Sequence, residues 1–221
     1  MKIVSINVGS ARKIQLGERQ VSTGIFKLPQ PRTWISQNGL EQDYIADQKH
    51  HGGIDQAVYV YTTEDYDWWL ETLGRDLEPG TFGENLTISG FESANLHVGD
   101  RIFIGDPEGN PVVLEVTAPR IPFEVLAERI GSPAFVKHFA AAERPGAYCR
   151  VLEGGAVETG DPVTLQPWMN GSVTLLELMR WHYGRPLERD LKRALSSPIA
   201  ERWRKKYEEA LGIKSSYQNG L

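Results

Sequence analysis

The sequence predicts a mainly β protein with inserted helices (α+β): a β-barrel over residues 1–168, then a three-helix unit over 169–213. Three observations predict it. About eight short runs rich in β-branched and aromatic residues are separated by turn residues. Val98-Gly99-Asp100 and Thr159-Gly160-Asp161 each place Gly-Asp before a strand, as two equivalent corners of a closed sheet would. Beyond Trp168 the apolar period changes from that of a strand to that of an amphipathic helix.

Lys2–Val8 alternates as a strand and ends at Gly9-Ser10. Gln20–Lys27 reads as extended, so Lys27 lies in a strand; Pro29 and Pro31 then bar a helix. Residues 32–48 read as a loop with a short strand around Thr33–Ile35, and Gln56–Tyr61 is a strand. Thr62 or Thr63 caps the next helix, with Glu64 and Asp65 in its first turn and Gly74 as its stop. Its Tyr66, Trp69, Leu70 and Leu73 form a stripe read as core packing. Asn85–Ser89, Arg101–Gly105 and Pro111–Thr117 are strands, the last two joined by a Pro107–Asn110 turn. Pro122 opens a helix that stops at Gly131, and a second starts near Pro133. Ala147–Leu152 and Val163–Gln166 return to strand. Ser172 or Thr174 caps the first C-terminal helix, which ends at Gly184. Pro186 and Pro198 open two more. Three such short helices have a small core of their own and need the barrel or a second subunit to lean on. Residues 214–221 read as a disordered tail.

The chain of 221 residues can bury a full core without staples. A net charge of −5 argues against nucleic-acid binding. Charge is uneven: residues 172–214 carry ten Lys/Arg and six Asp/Glu, a net of +4. That unit is either a solvated basic face or a module for an acidic partner. Cys149 is the single cysteine, so no intrachain disulfide forms, which fits a reducing cytoplasm. No run approaches the roughly 18 apolar residues of a membrane span.

Four clusters carry chemical content. His51-Gly52-Gly53 with Asp55 forms a polar glycine turn, with His51 either contacting a ligand or satisfying turn backbone. His50 beside it is expected to face solvent. Gly80–Asn85 offers Thr81, Gly83 and Asn85 as an oxyanion or phosphate nest, with Glu84 as its ionisable group; a plain β-turn with an Asn cap is the alternative. Pro119-Arg120-Ile121-Pro122-Phe123 runs from a strand into a helix start, where Arg120 adds a guanidinium fork. A cysteine there would be a good thiolate ligand, but this chain has Phe123. In Gly146-Ala147-Tyr148-Cys149-Arg150, Tyr148 and Arg150 share one strand face and Cys149 takes the other. A lone strand cysteine reads as a small buried hydrophobe. No P-loop, dinucleotide fingerprint, GxSxG elbow or zinc-type CxxC pair occurs.

In order and spacing, these motifs resemble the MOSC domain family, over nearly the full length of the chain. The resemblance runs through the Lys27 strand, Lys49–Val58, Phe82–Leu86, Val98–Asp100, Pro119–Pro122, Gly146–Val151 and the three-helix end. It implies a MOSC-type β-barrel and molybdenum cofactor, a pterin carrying a phosphate; pyridoxal phosphate stays open as another ligand of the same anion chemistry. Lys27, Gly52, Gly53, Asp55, Thr81, Gly83, Asn85, Arg120 and Arg150 become the cofactor-binding set, and His51 and Glu84 the candidate proton donors. Reduction of N-hydroxylated bases or amines, with a small-molecule substrate and an electron-donor protein, is the implied activity. The implied setting is cytoplasmic, with neither membrane nor nucleic acid as partner and a homodimer as one option. The family pattern Pro-Arg-x-Pro-Cys supplies the expected metal ligand, and here that position is Phe123. Three outcomes stay open: the cofactor is held by pterin and phosphate alone, Cys149 ligates from the neighbouring strand, or redox activity is lost and a binding or carrier role remains.

Overall fold

The computed structural model describes residues 1–47, 51–106, 108–168 and 171–213. Lys49, His50, Pro107 and the 214–221 tail therefore lie outside the described residues. The strands are β1 (Lys2–Gly9), β2 (Arg12–Leu16), β3 (Arg19–Thr23), β4 (Lys27–Gln30), β5 (Arg32–Ser36), β6 (Gly39–Leu40) and β7 (Val58–Thr62). They continue with β8 (Leu86–Ser89), β9 (Arg101–Ile104), β10 (Val112–Pro119), β11 (Ala147–Glu153), β12 (Gly155–Glu158) and β13 (Val163–Gln166). The helices are α1 (Thr63–Leu73), α2 (Glu124–Ile130), α3 (Phe135–Ala142), α4 (Leu175–Tyr183), α5 (Glu188–Leu195) and α6 (Glu201–Ala210).

Eight strands share one sheet in the order β13-β9-β10-β11-β7-β8-β1-β4. All neighbours in it are antiparallel except β7 and β8, whose parallel pairing needs the crossover through α1. The two sides of the sheet meet at the chain's start. Ile3 N–H donates to Asp161 O at 3.0 Å, Gly160 N–H to Ile3 O at 2.9 Å and Val163 N–H to Met1 O at 3.1 Å. These bonds bring the corner before β13 back onto β1, so the sheet curls into a barrel-like wall. Gly99 and Gly160, which precede the two echoed aspartates, have φ of +93° and +98°. Both therefore need glycine at the corner.

Two readings of the N-terminal third change. Gln20–Lys27 is not one strand: β3 ends at Thr23, and Lys27 opens β4 opposite Gly9 of β1. The break comes from a backbone crossing, because a Cβ on Gly24 would lie 1.7 Å from Tyr44 O. Strands β2, β6 and β12 are additional; β2 and β3 form an exposed, mostly polar hairpin with little apolar alternation to mark it.

Local signals place the helix ends well. Thr62 caps α1 by accepting from Asp65 N–H at 3.2 Å, and Gly74 closes it in the left-handed region. Thr174 and Glu177 form a capping box at α4. Helix α2 starts two residues after Pro122, with Phe123 as a cap residue that supplies no side-chain bond. Trp69 is buried among Phe82, Phe135 and Phe139, and its Nε1 donates to Tyr61 OH at 2.8 Å. Leu70, expected in that stripe, faces out at 40% exposure.

The C-terminal helices share the barrel's core. Leu175, Leu178, Met179, Ala194, Ala200 and Trp203 belong to the same buried cluster as the strands. Backbone bonds stitch the seam: Leu175 N–H to Leu96 O at 2.9 Å and Ala200 N–H to Thr117 O at 3.2 Å.

Candidate functional site

A cavity of about 710 Å³ opens between the β2–β3 hairpin, the start of β4, strands β7 and β11 and the start of α2. Of the residues singled out in the sequence, Lys27, His51, Gly83, Asn85, Arg120 and Phe123 line it. They come from four separate segments, so only folding assembles them.

Asp43 organises the polar wall. Its carboxylate accepts from Lys27 Nζ at 2.6 Å, from Asn85 Nδ2 at 2.9 Å and from Gly9 N–H at 2.7 Å. Burial pulls the Lys27 ammonium down from its ordinary lysine range, while the Asp43 charge opposes that pull. Asn85 is locked on its other side, where Oδ1 accepts from Tyr59 N–H at 3.0 Å. The Lys27–Asp43 pair is neutral overall. Arg120 is not paired: it is 7% exposed, makes no ion pair or hydrogen bond among the described residues, and lies 4.9 Å from the Tyr59 ring centroid. Its Nε is buried without a partner. A cation over a ring face gains from the quadrupole, but that does not replace an anion. Among the described residues, the Arg120 guanidinium thus reaches the cavity wall without an ion-pair partner.

Gly83 allows this approach. At φ +76° it is suited to glycine, and a Cβ there would sit 2.9 Å from Ile25 Cγ1 and 3.4 Å from an Arg120 Nη. Across the cavity, His51 Nδ1 and Tyr148 OH are 2.8 Å apart. Burial pushes the Tyr148 phenol up, so it keeps its proton at neutral pH. The phenol and the imidazole can each serve as the donor in this pair. Phe123 meets the His51 ring edge-on at 5.4 Å and is 42% exposed at the cavity rim.

Glu84, Asp55, Arg150, Thr81, Gly52, Gly53 and Cys149 lie outside this lining. Glu84 is fully buried behind the wall, where Oε1 accepts from Gly80 N–H at 2.6 Å, Tyr66 OH at 2.7 Å and Thr87 Oγ1 at 2.9 Å. Burial pushes its carboxyl up despite these donors. The turn N–H groups likewise point inward: Thr81 N–H reaches Glu78 O at 3.1 Å and Gly83 N–H reaches Gly80 O at 3.0 Å. Gly53 supplies its carbonyl to Gln56 N–H at 3.0 Å. Asp55 and Arg150 meet each other at 2.9 Å. Asp55 then accepts from Glu201 N–H at the start of α6 at 2.6 Å, and Arg150 donates to Pro198 O at 3.1 Å. Cys149 is fully buried, and burial pushes its thiol far up, away from the thiolate a metal needs. The sequence reading missed Asp43, an unmarked loop aspartate, and Tyr59, which reads as an ordinary strand tyrosine.

The residues fit molybdenum cofactor unevenly. A phosphate oxyanion suits Arg120, Lys27 and Asn85. A protein thiolate is not offered: the position at which the resemblance led one to expect a cysteine is Phe123, and Cys149, the chain's single cysteine, faces the packed interior.

Comparisons with known proteins agree with the fold. The chain is 32% identical over 208 residues to protein YflK of Bacillus subtilis, covering 91% of this chain and 90% of that one. It is 31% identical over 177 residues to a protein named Reductase from Gibberella moniliformis, matching 77% of this chain but 30% of that longer protein. The crystal structure of YiiM from Geobacillus stearothermophilus superposes with a TM-score of 0.75 at 28% identity, covering 95% of this chain and 98% of that one. The MOSC domain profile matches residues 47–164, a span that holds the His51 turn, the Gly83–Asn85 wall, Arg120 and Tyr148, and the chain belongs to the MOSC domain family.

Proposed function

We propose that the cavity binds a phosphate-bearing cofactor of the molybdopterin kind, and that the chain is the cofactor-holding part of a reductase for N-hydroxylated bases or amines. The observation that carries the reading is Arg120, a buried guanidinium with no anionic partner among the described residues, directed at a cavity of about 710 Å³. Leaving such a charge uncompensated is costly, and a ligand phosphate would supply the missing partner through charge-assisted hydrogen bonds. When bound, the cofactor would supply the redox chemistry. The chain's own residues do the rest: Arg120 and Lys27 hold the anion, Asn85 fixes the wall, and the His51–Tyr148 pair sets an imidazole and a phenol able to pass a proton on the opposite side. Electrons would come from a partner protein. The resemblance to a protein named Reductase supports a reductive role.

The test is expression in a cofactor-competent host, followed by pterin fluorescence and molybdenum analysis. The wild-type chain should carry pterin, and Arg120→Gln should lower its occupancy at least tenfold, in line with the roughly 1.5–3 kcal/mol of a charged hydrogen bond. A wild-type protein with neither pterin nor molybdenum, or an Arg120→Gln variant loaded like its parent, sinks the reading.

A further inference from the structure

We propose a second anion site: a cleft on the outer side of the Ile25–Lys27 segment that binds the phosphate group of a small phosphorylated ligand between Arg12, Arg75 and Arg129. The cleft encloses about 510 Å³, and its lining includes these three arginines, Phe26 and the hydroxyls of Ser10 and Thr81. None of the three guanidiniums makes an ion pair among the described residues. Two of them crowd one ring, with the Arg12 guanidinium carbon 4.1 Å and the Arg129 carbon 5.0 Å from the Phe26 centroid. The Arg12 charge reaches Arg129 through space, and the aromatic ring offsets only part of that like-charge field. A dianion in the cleft they line would turn that unfavourable field into attraction.

The donors are also held in place. Arg129 is anchored through Nη1 to Ile25 O at 2.7 Å, and Arg75 through Nη2 to Ile130 O at 3.1 Å. Backbone carbonyls fix each fork while leaving its other N–H groups for a ligand. Burial pushes the Arg129 guanidinium down; the fields of Glu84 and Tyr66 oppose that push, and those of Arg12 and Arg120 add to it. Asp76 and Glu78 also line the cleft. They offset part of the charge of Arg12, Lys27, Arg75 and Arg129, and the lining stays net positive. Ile25 faces the first cavity, Phe26 the cleft, and Lys27 lines both, so the two sites are tested apart at Arg120, which lines only the first, and at Arg12 and Arg75, which line only the second.

The experiment is calorimetric titration of the full chain with inorganic pyrophosphate at low ionic strength. Comparison proteins are Arg12→Gln/Arg75→Gln, Arg12→Gln alone and Arg120→Gln, each checked by thermal melting. Arg12 and Arg75 are both exposed, so their replacement should not threaten the fold. Expected is a binding event that the double variant weakens at least tenfold, that Arg12→Gln weakens in the same direction, and that Arg120→Gln leaves in place. Absence of wild-type binding, an unchanged isotherm in the double variant, or loss with Arg120→Gln alone would overturn the cleft. So would a polyglutamate peptide that outcompetes pyrophosphate, because it would point to an acidic protein surface instead. Loss of cofactor with intact cleft binding would remove the cavity reading and leave this one standing.

Discussion

Glu84 shows how far one residue's role depends on its surroundings. Its neighbours Gly83 and Asn85 reach the cavity, while its own side chain turns into the interior and holds the turn through Gly80 N–H. Burial raises its carboxyl in the folded state above the unfolded value. The folded protein therefore binds the proton more tightly than the unfolded chain. Stability from this group is full below the unfolded pKa and is lost as pH rises through the folded one. Glu84→Gln should remove that loss. Thermal melts from pH 4.5 to 8 should show the variant gaining on the wild type as pH rises; a gap that stays flat or narrows would contradict the assignment. Phe123 makes the opposite case, a rim residue where the sequence resemblance led one to expect a cysteine. Phe123→Cys should cost about 1 kcal/mol, mostly the lost His51 ring contact. It should also raise molybdenum content in a cofactor-competent host. Metal content equal to the parent's would mean that this position plays no part in holding the cofactor.

At the scale of elements, Asp55 ties the His51 loop to helix α6. It receives the Glu201 N–H across 146 residues of sequence and pairs with Arg150, which in turn binds the carbonyls before that helix. A carboxylate at a helix N-terminus is favourable, and this one is supplied from the barrel. Asp55→Ala should destabilise by about 1–2 kcal/mol, the lower end reflecting a pair that is partly solvent-screened. Urea midpoints measure the loss, and amide exchange at Glu201 localises it. Unchanged exchange there would show that the latch does not hold the helix. Elements themselves were mostly legible. Strands β7, β8, β9, β10, β11 and β13 and all six described helices lie close to where alternation, caps and prolines placed them. The exceptions have physical causes. The Gly24 crossing splits one expected strand, and the polar β2–β3 hairpin lacks the apolar contrast that marks a half-buried strand.

On the scale of the whole molecule, one buried cluster runs from Ile3 in β1 to Tyr207 in α6. Val98 N–H bonds Val173 O at 2.9 Å where the helical part begins, so the seam is built of backbone as well as side chains. Truncation after Trp168 should then expose Leu96, Val98 and the outer face of β10 and abolish a cooperative melt. A fragment that melts cooperatively near the parent's temperature would mean the barrel folds as an independent domain. Among the described residues no helix is long and apolar enough to cross a membrane.

By itself the sequence determined what depends on near neighbours: where helices start and stop, which runs alternate, and which motif residues are worth testing. Caps, prolines and side-chain period act within a few residues, so they can be read in one dimension. Tertiary structure decided which polar groups face the same space. Asp43 meets Lys27 across 16 positions and Asn85 across 42, and neither pairing leaves a local trace. The loop after β10 placed Arg120 in the cavity and strand facing placed Arg150 on the helical seam, although both looked like anion ligands in the sequence. The reason is that a charged side chain is defined by its partner. Arg150 has its carboxylates within the fold, while Arg120 has none among the described residues.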